Sequence, residues 1–168
     1  GDVYKRQGQD LQQTEDDLGV KDDYETYSVT TDDVNKYIPN SGNLSYIYSS
    51  ATIKHKKWGN GVDVEIDTPD NITKVTSEQY QNASITAGIK DAEIHIASVE
   101  KVTGEGALAG IYKAYEEKGN ELNSEDIQNS NKEMQDLTSI SEENQNKDGY
   151  SDEALNASIA CLLYTSDA

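Results

Sequence analysis

Three observations predict a mixed α+β domain. Val62, Val64 and Ile66 alternate with Asp63, Glu65 and Asp67, as in a half-buried strand. Leu108, Ile111, Tyr112 and Tyr115 recur at i, i+3, i+4 and i+7, the stripe of an amphipathic helix. Between 44–57 and 62–66 stands Gly59-Asn60-Gly61, which predicts an antiparallel hairpin because a tight two-residue turn needs positive φ at its centre.

Taken in order, residues 9–18 form a polar segment with Leu11 and Leu18 seven apart, closed by Gly19, and read as the remnant of an N-terminal helix. Residues 24–29 carry strand-forming Tyr, Thr and Val. Thr31-Asp32-Asp33 has the chemistry of an N-cap and acidic first turn, with Val34, Tyr37 and Ile38 following at helical spacing. A loop at 39–43 leads into the longest strand, 44–57. Tyr46, Tyr48, Ser50, Thr52 and Lys54 share one of its faces; Ile47, Ala51, Ile53 and His55 share the other. After the turn and the strand at 62–66, Thr76-Ser77-Glu78-Gln79 caps a helix bearing Tyr80, Ala83 and Ala87 and ending at Gly88. Residues 91–97, with Ile94 and Ile96 flanking His95, form the next strand. Thr103 is expected to cap the helix of Leu108 to Tyr115. Ser124 is expected to open a polar helix carrying Ile127, Met134 and Leu137, and 150–160 forms a last one. The central order is β-α-β-β-α-β, the ferredoxin-like signature. It gives an α+β domain over 8–122 with a helical C-terminal extension over 123–160.

The two ends read differently. Back-translated, Asp2-Val3-Tyr4-Lys5-Arg6-Gln7 is GATGTGTATAAGAGACAG, and its reverse complement, one base out of frame, encodes Cys161-Leu162-Leu163-Tyr164-Thr165-Ser166. This is the transposon end used in sequencing libraries, so 1–7 and 161–168 resemble translated adapter rather than native chain. The native part, 8–160, is then free of cysteine, since Cys161 is the only one. That excludes disulfide, thiol and cysteine–zinc chemistry from it.

Thirty-two acidic against fourteen basic residues give a net charge of −18. Nucleic acid and anionic lipid both require the opposite balance, so neither is an expected partner. No apolar run approaches the ~20 residues of a membrane span. Phe is absent, and eleven Tyr and one Trp supply the aromatic bulk.

Ile72-Thr73-Lys74-Val75-Thr76, Tyr80-Gln81-Asn82-Ala83, Thr86-Ala87-Gly88-Ile89-Lys90-Asp91-Ala92 and Gly106-Ala107-Leu108-Ala109-Gly110-Ile111-Tyr112-Lys113-Ala114-Tyr115-Glu116 follow in close succession. Here the chain resembles the bacterial family catalogued as domain of unknown function 1002. The resemblance is specific over 49–116 and weaker outside it, and it departs from the family at Thr103-Gly104-Glu105-Gly106. It implies a secreted or surface protein of Gram-positive bacteria whose signal peptide lay upstream. It implies no reaction.

Four groups of residues are candidate sites. The glycines of Gly104-Glu105-Gly106-Ala107-Leu108-Ala109-Gly110 stand where phosphate loops occur, but the spacing is not G-x-G-x-x-G and Glu105 would repel phosphate, so close helix packing is expected instead. Asn144, Asn146, Asp148, Gly149 and Asp152 fall at EF-hand ligand or glycine positions, yet Leu155 replaces the bidentate glutamate, so no metal site is expected. His55 and His95 lack a motif partner and read as ordinary strand histidines. Lys56, Lys57 and Trp58, a basic patch and an aromatic at the hairpin tip, are the candidate partner contact. The expected function is a non-catalytic, extracellular or envelope-associated binding module without cofactor, its partner an unidentified surface component. An extracellular hydrolase and an ion-dependent structural or adhesive domain are the rival classes.

Overall fold

The computed structural model describes residues 25–28, 30–38 and 49–166. Among them, strands β1 (Glu25–Ser28), β2 (Ser49–His55), β3 (Val62–Ile66) and β4 (Ala92–Ser98) form one mixed sheet in the order β1-β2-β4-β3. The helices are α1 (Thr31–Tyr37), α2 (Ser77–Thr86), α3 (Ala107–Glu117), α4 (Ser124–Asn144) and α5 (Asp152–Ser166). The α+β class and the central β-α-β-β-α-β order hold. The expected helix at 9–18, the loop at 39–43 and the strand segment 44–48 lie outside the described residues.

The hairpin does not form. β4 lies between β2 and β3, antiparallel to the first and parallel to the second. The ferredoxin-like pairing, in which the two middle strands are a hairpin, is therefore replaced by another. Gly59 and Gly61 do take positive φ, 83° and 89°, but Asn60 does not, since Asp91 is the only non-glycine to do so among the described residues. A type I′ turn needs positive φ at both central positions. The segment instead arches over the beginning of β4, and Asp91 fills the arch. Its carbonyl accepts from the Lys56 N–H at 2.7 Å, its carboxylate accepts from the Gly61 N–H at 3.0 Å, and the Ala92 N–H donates to the Gly61 carbonyl at 3.1 Å.

Strand alternation then sorts the sheet's faces. Ala51 and Ile53 of β2, Val62 of β3, and Ala92, Ile94 and Ile96 of β4 are buried in one core with Tyr80, Leu108, Ile111 and Tyr112. Helix α2 packs on β3, α3 on β2 and β1, and α1 on α3; α4 and α5 form an outer layer against α2. The capping box predicted at Thr76 is present, with the Gln79 N–H donating to Thr76 Oγ1 at 3.2 Å and the Thr76 N–H to Gln79 Oε1 at 2.8 Å. At α1 the cap sits one residue earlier than expected, Thr30 with Asp33, whereas α4 opens at Ser124 as expected, with Asn123 as its cap. Thr103 does not cap α3. Its first turn is entered by i→i−3 bonds, Ala107 to Gly104 and Leu108 to Glu105, leaving Gly106 at the N-cap without a side-chain bond.

A core without Phe uses buried tyrosines, and each hydroxyl needs a partner. Tyr80 donates to the Gly104 carbonyl at 2.5 Å. Ser130 donates its one proton to the Ala83 carbonyl at 2.6 Å, so in the 2.5 Å contact between Tyr112 and Ser130 the phenol is the donor. Burial raises both phenols above their ordinary range, Tyr80 with help from the Glu105 charge and Tyr112 with help from the Glu133 charge. Asn131 donates to the Tyr37 carbonyl at 2.6 Å and Asn82 to the Asn156 carbonyl at 3.0 Å, so polar bonds tie the outer helices to the inner ones. One charge is caught in the α2–α4 seam. Glu133 Oε2 accepts from Thr86 Oγ1 at 2.5 Å, while its Oε1 is buried without a partner.

Two outcomes follow from this packing. A Cβ at Gly104, whose φ is +119°, would lie 2.7 Å from Tyr80 Oη and 2.9 Å from Ile72 Cγ2. Gly104→Ala should cost about 3 kcal/mol in urea unfolding, overpacking and backbone strain together. Gly119→Ala, with φ +89° and open space around it, should cost only about 1 kcal/mol. Burial raises the Glu133 carboxyl above its ordinary value, against the lowering effect of Thr86. A raised folded-state pKa adds stability below the unfolded-state value and loses it as pH rises through the folded-state value. Glu133→Gln should therefore melt higher than the parent at neutral pH, and the difference should vanish below about pH 4.

Candidate functional site

The face of the sheet that turns away from Ile94 and Ile96 carries polar rows set by strand register. Lys54, Glu93 and Asp63 align across β2, β4 and β3, and Thr52, His95 and Glu65 align in the next row. Asp67 follows directly on β3, and its N–H donates to the Ile96 carbonyl at 2.8 Å, which brings its carboxylate beside His95. His95 Nδ1 lies 2.9 Å from Asp67 Oδ1, and its Nε2 lies 3.3 Å from Glu93 Oε1. The His95 and Asp67 side chains are 17% and 12% exposed. Burial alone would lower the imidazole's pKa. The hydrogen bond and charge of Asp67, with Glu93 and Glu65, outweigh it and hold it above its ordinary value. Ligand atoms of Glu65, Asp67 and His95 all lie within 4.8 Å of one another, the one such grouping among the described residues.

His95 therefore sits opposite the core isoleucines as its flanking residues indicate, but in a cluster rather than as an isolated strand histidine. Glu65, Asp67 and Glu93 belong to no sequence motif. Their signals in the sequence are the alternating Asp63, Glu65, Asp67 and the Glu-Ile-His run of 93–95. Joining them requires β3 to pair with β4 in parallel, and the expected hairpin placed β3 beside β2.

The loop after β2 is divided in its roles. Trp58 is 91% exposed, so the indole does not fold over the neighbouring strands. Lys57 and His55 are exposed as well. Lys56 turns back instead. Its ammonium is 2.5 Å from Asp63 Oδ2 and 3.3 Å from the Asn60 carbonyl, and its side chain is mostly covered. Of the three expected contact residues, Lys57 and Trp58 face solvent, and Lys56 braces the arch.

The glycine-rich segment is closely packed: Gly104 lies against Tyr80, Ile72 and Val75, and residues 107–110 are buried in α3. In the EF-hand-like segment, Asn144 ends α4 and accepts from Lys147 at 2.8 Å, Asp152 accepts from the Tyr150 hydroxyl at 2.6 Å, and Leu155 lies in α5. That segment borders a polar hollow of about 500 Å³ lined by Thr73, Thr138, Ser141 and Asp152, with the Lys74–Glu142 ion pair on its wall. Among the described residues, no helix is long and apolar enough to cross a membrane. Helix α5 continues through Cys161 to Ser166, with Leu162 and Tyr164 exposed.

The uncharacterised protein YpuA of Bacillus subtilis (strain 168) is 38% identical to this chain over 136 residues. The aligned part is 76% of this chain and 46% of YpuA, so the chain spans about half the length of that relative. No solved structure matches. The family described as "Protein of unknown function (DUF1002)" matches residues 4–162. With nearly the whole sequence matched and a relative well above 30% identity beside it, the chain belongs to the DUF1002 family.

Proposed function

We propose that this chain is a binding module of a secreted or envelope-associated bacterial protein, and that it meets its partner through Lys57 and Trp58. The observation that carries the reading is the 91% exposure of Trp58. A large aromatic held in water is the residue type that most often anchors a protein contact, because its burial removes much apolar surface while its N–H still finds a partner. Its base is fixed. The Lys56–Asp63 pair and the Asp91 hydrogen bonds hold the arch to the ends of β2, β3 and β4, which lowers the ordering cost of binding. Lys57 adds a positive spot to a body of net charge −18, which favours a defined orientation of the partner. An extracellular hydrolase is the rival reading.

The test is a pull-down on bacterial cell-wall fractions with the full chain, alongside screens for turnover of glycan, peptide and ester substrates. Trp58→Ala should weaken retention by about 30-fold, the effect of losing roughly 2 kcal/mol at a hot spot. Lys57→Glu should weaken it less. Lys57 is the better charge variant because reversing Lys56 would also break its pair with Asp63. Retention unchanged in Trp58→Ala would refute the loop as the contact, and turnover that disappears in His95→Ala would replace binding with catalysis.

A further inference from the structure

We propose that Glu65, Asp67 and His95, the last through Nδ1, form a binding site for a divalent transition-metal ion of the zinc or manganese class. Glu93 is the outer partner that accepts from Nε2–H. The site is independent of the Trp58 loop. Its donors come from two adjacent parallel strands and the residue following one of them. Glu65 stands directly across from His95 in the β3–β4 register, and Asp67 is held by its N–H bond to Ile96. The Ser98 N–H, donating to Thr68 Oγ1 at 2.8 Å, fixes the next residue of the same chain segment. Donors on sheet backbone are more precisely placed than donors on loops.

The distances fit such an ion with small side-chain movement. Ligand atoms about 2.1 Å from a tetrahedral ion lie about 3.4 Å from each other. His95 Nδ1 and Asp67 Oδ1 are 2.9 Å apart, and the three donors lie within 4.8 Å. The ring's other nitrogen carries the second argument. A metal-bound histidine donates its remaining N–H to a carboxylate or carbonyl, which fixes the tautomer and the plane of the ring. Glu93 Oε1, 3.3 Å from Nε2, stands in that position. The donor set also decides the class of ion. One imidazole nitrogen with two carboxylates suits zinc or manganese, whereas calcium and magnesium prefer oxygen throughout. Three protein ligands leave further coordination positions for water or for a group from a partner. The competing arrangement is a protonated imidazole paired with Asp67 and Glu93, which would neutralise the same carboxylates without an ion.

Calorimetric titration of the chelator-treated full chain with zinc, manganese, magnesium and calcium chlorides distinguishes the two. The expected result is one stoichiometric zinc site and a weaker manganese site, with magnesium and calcium weaker again by about 100-fold or more. His95→Ala and Asp67→Ala should abolish the zinc isotherm, and Glu93→Gln should weaken it by about 10- to 100-fold with stoichiometry kept. His95 and Asp67 are mostly covered, so Glu65→Gln on the exposed side of β3 is the variant least able to disturb folding. It should weaken zinc by at least about 10-fold with the circular dichroism spectrum and melting curve of the parent retained. Absence of a stoichiometric zinc isotherm, or affinity unchanged in both Glu65→Gln and His95→Ala, would overturn the proposal and leave the protonated ion pair.

Discussion

Asp91 takes a left-handed backbone conformation at φ 48° so that one residue can serve the ends of three strands. Its carbonyl holds the chain leaving β2, its carboxylate holds the chain entering β3, and its successor begins β4 between them. Aspartate tolerates this conformation better than most residues because its short polar side chain bonds locally. Most of the architecture follows from that insertion. β4 lies in the middle with β3 parallel to it, so the connection between them crosses over, and α2 lies on the sheet as that crossover. The polar rows on the opposite face exist for the same reason, since Glu65 meets His95 only across a β3–β4 ladder.

The helical layers show how a chain poor in large apolar residues still orders a core. Tyr80 and Tyr112 bring aromatic bulk, but each brings a hydroxyl that must be bonded once it is buried. Tyr80 spends its proton on Gly104 and so fixes the turn before α3. The chain from Tyr112 through Ser130 to Ala83 spans three helices, α3, α4 and α2. Such bonds add only about 1 kcal/mol each to stability, yet misregistered packing would strand their buried groups at a larger cost. They specify which packing is adopted more than they deepen it. Glu133 Oε1 departs from this pattern, as do Thr138 Oγ1 and Asn156 Oδ1 in the outer helices: this packing leaves all three unbonded.

Local chemistry was legible in the sequence, and long-range pairing was not. The capping box at Thr76, the buried stripe of α3, the buried Ile127, Met134 and Leu137 of α4 and the opposed faces around Ile94 and His95 are consequences of near neighbours. Their spacing alone carries them. The hairpin failed because Gly59 and Gly61 supply positive φ to a tight turn and to a wide arch alike. What separates the two is Asp91, thirty residues further on, and no local window contains both. The metal-type cluster was hidden by the same error, being split between 65–67 and 93–95. Trp58 was visible as an aromatic at a turn, while its exposure depended on where the arch pointed.

The position of β3 has one more implication, for how copies of this chain behave in a crowded solution. Among the described residues β3 is the outermost strand on its side of the sheet, and such strands offer backbone groups to any extended segment that drifts near. This one is only five residues long, and it carries Asp63 and Glu65 as exposed carboxylates. A second β3 arriving alongside would bring the same carboxylates against them. The border of the sheet is thereby disfavoured as a template for a second copy.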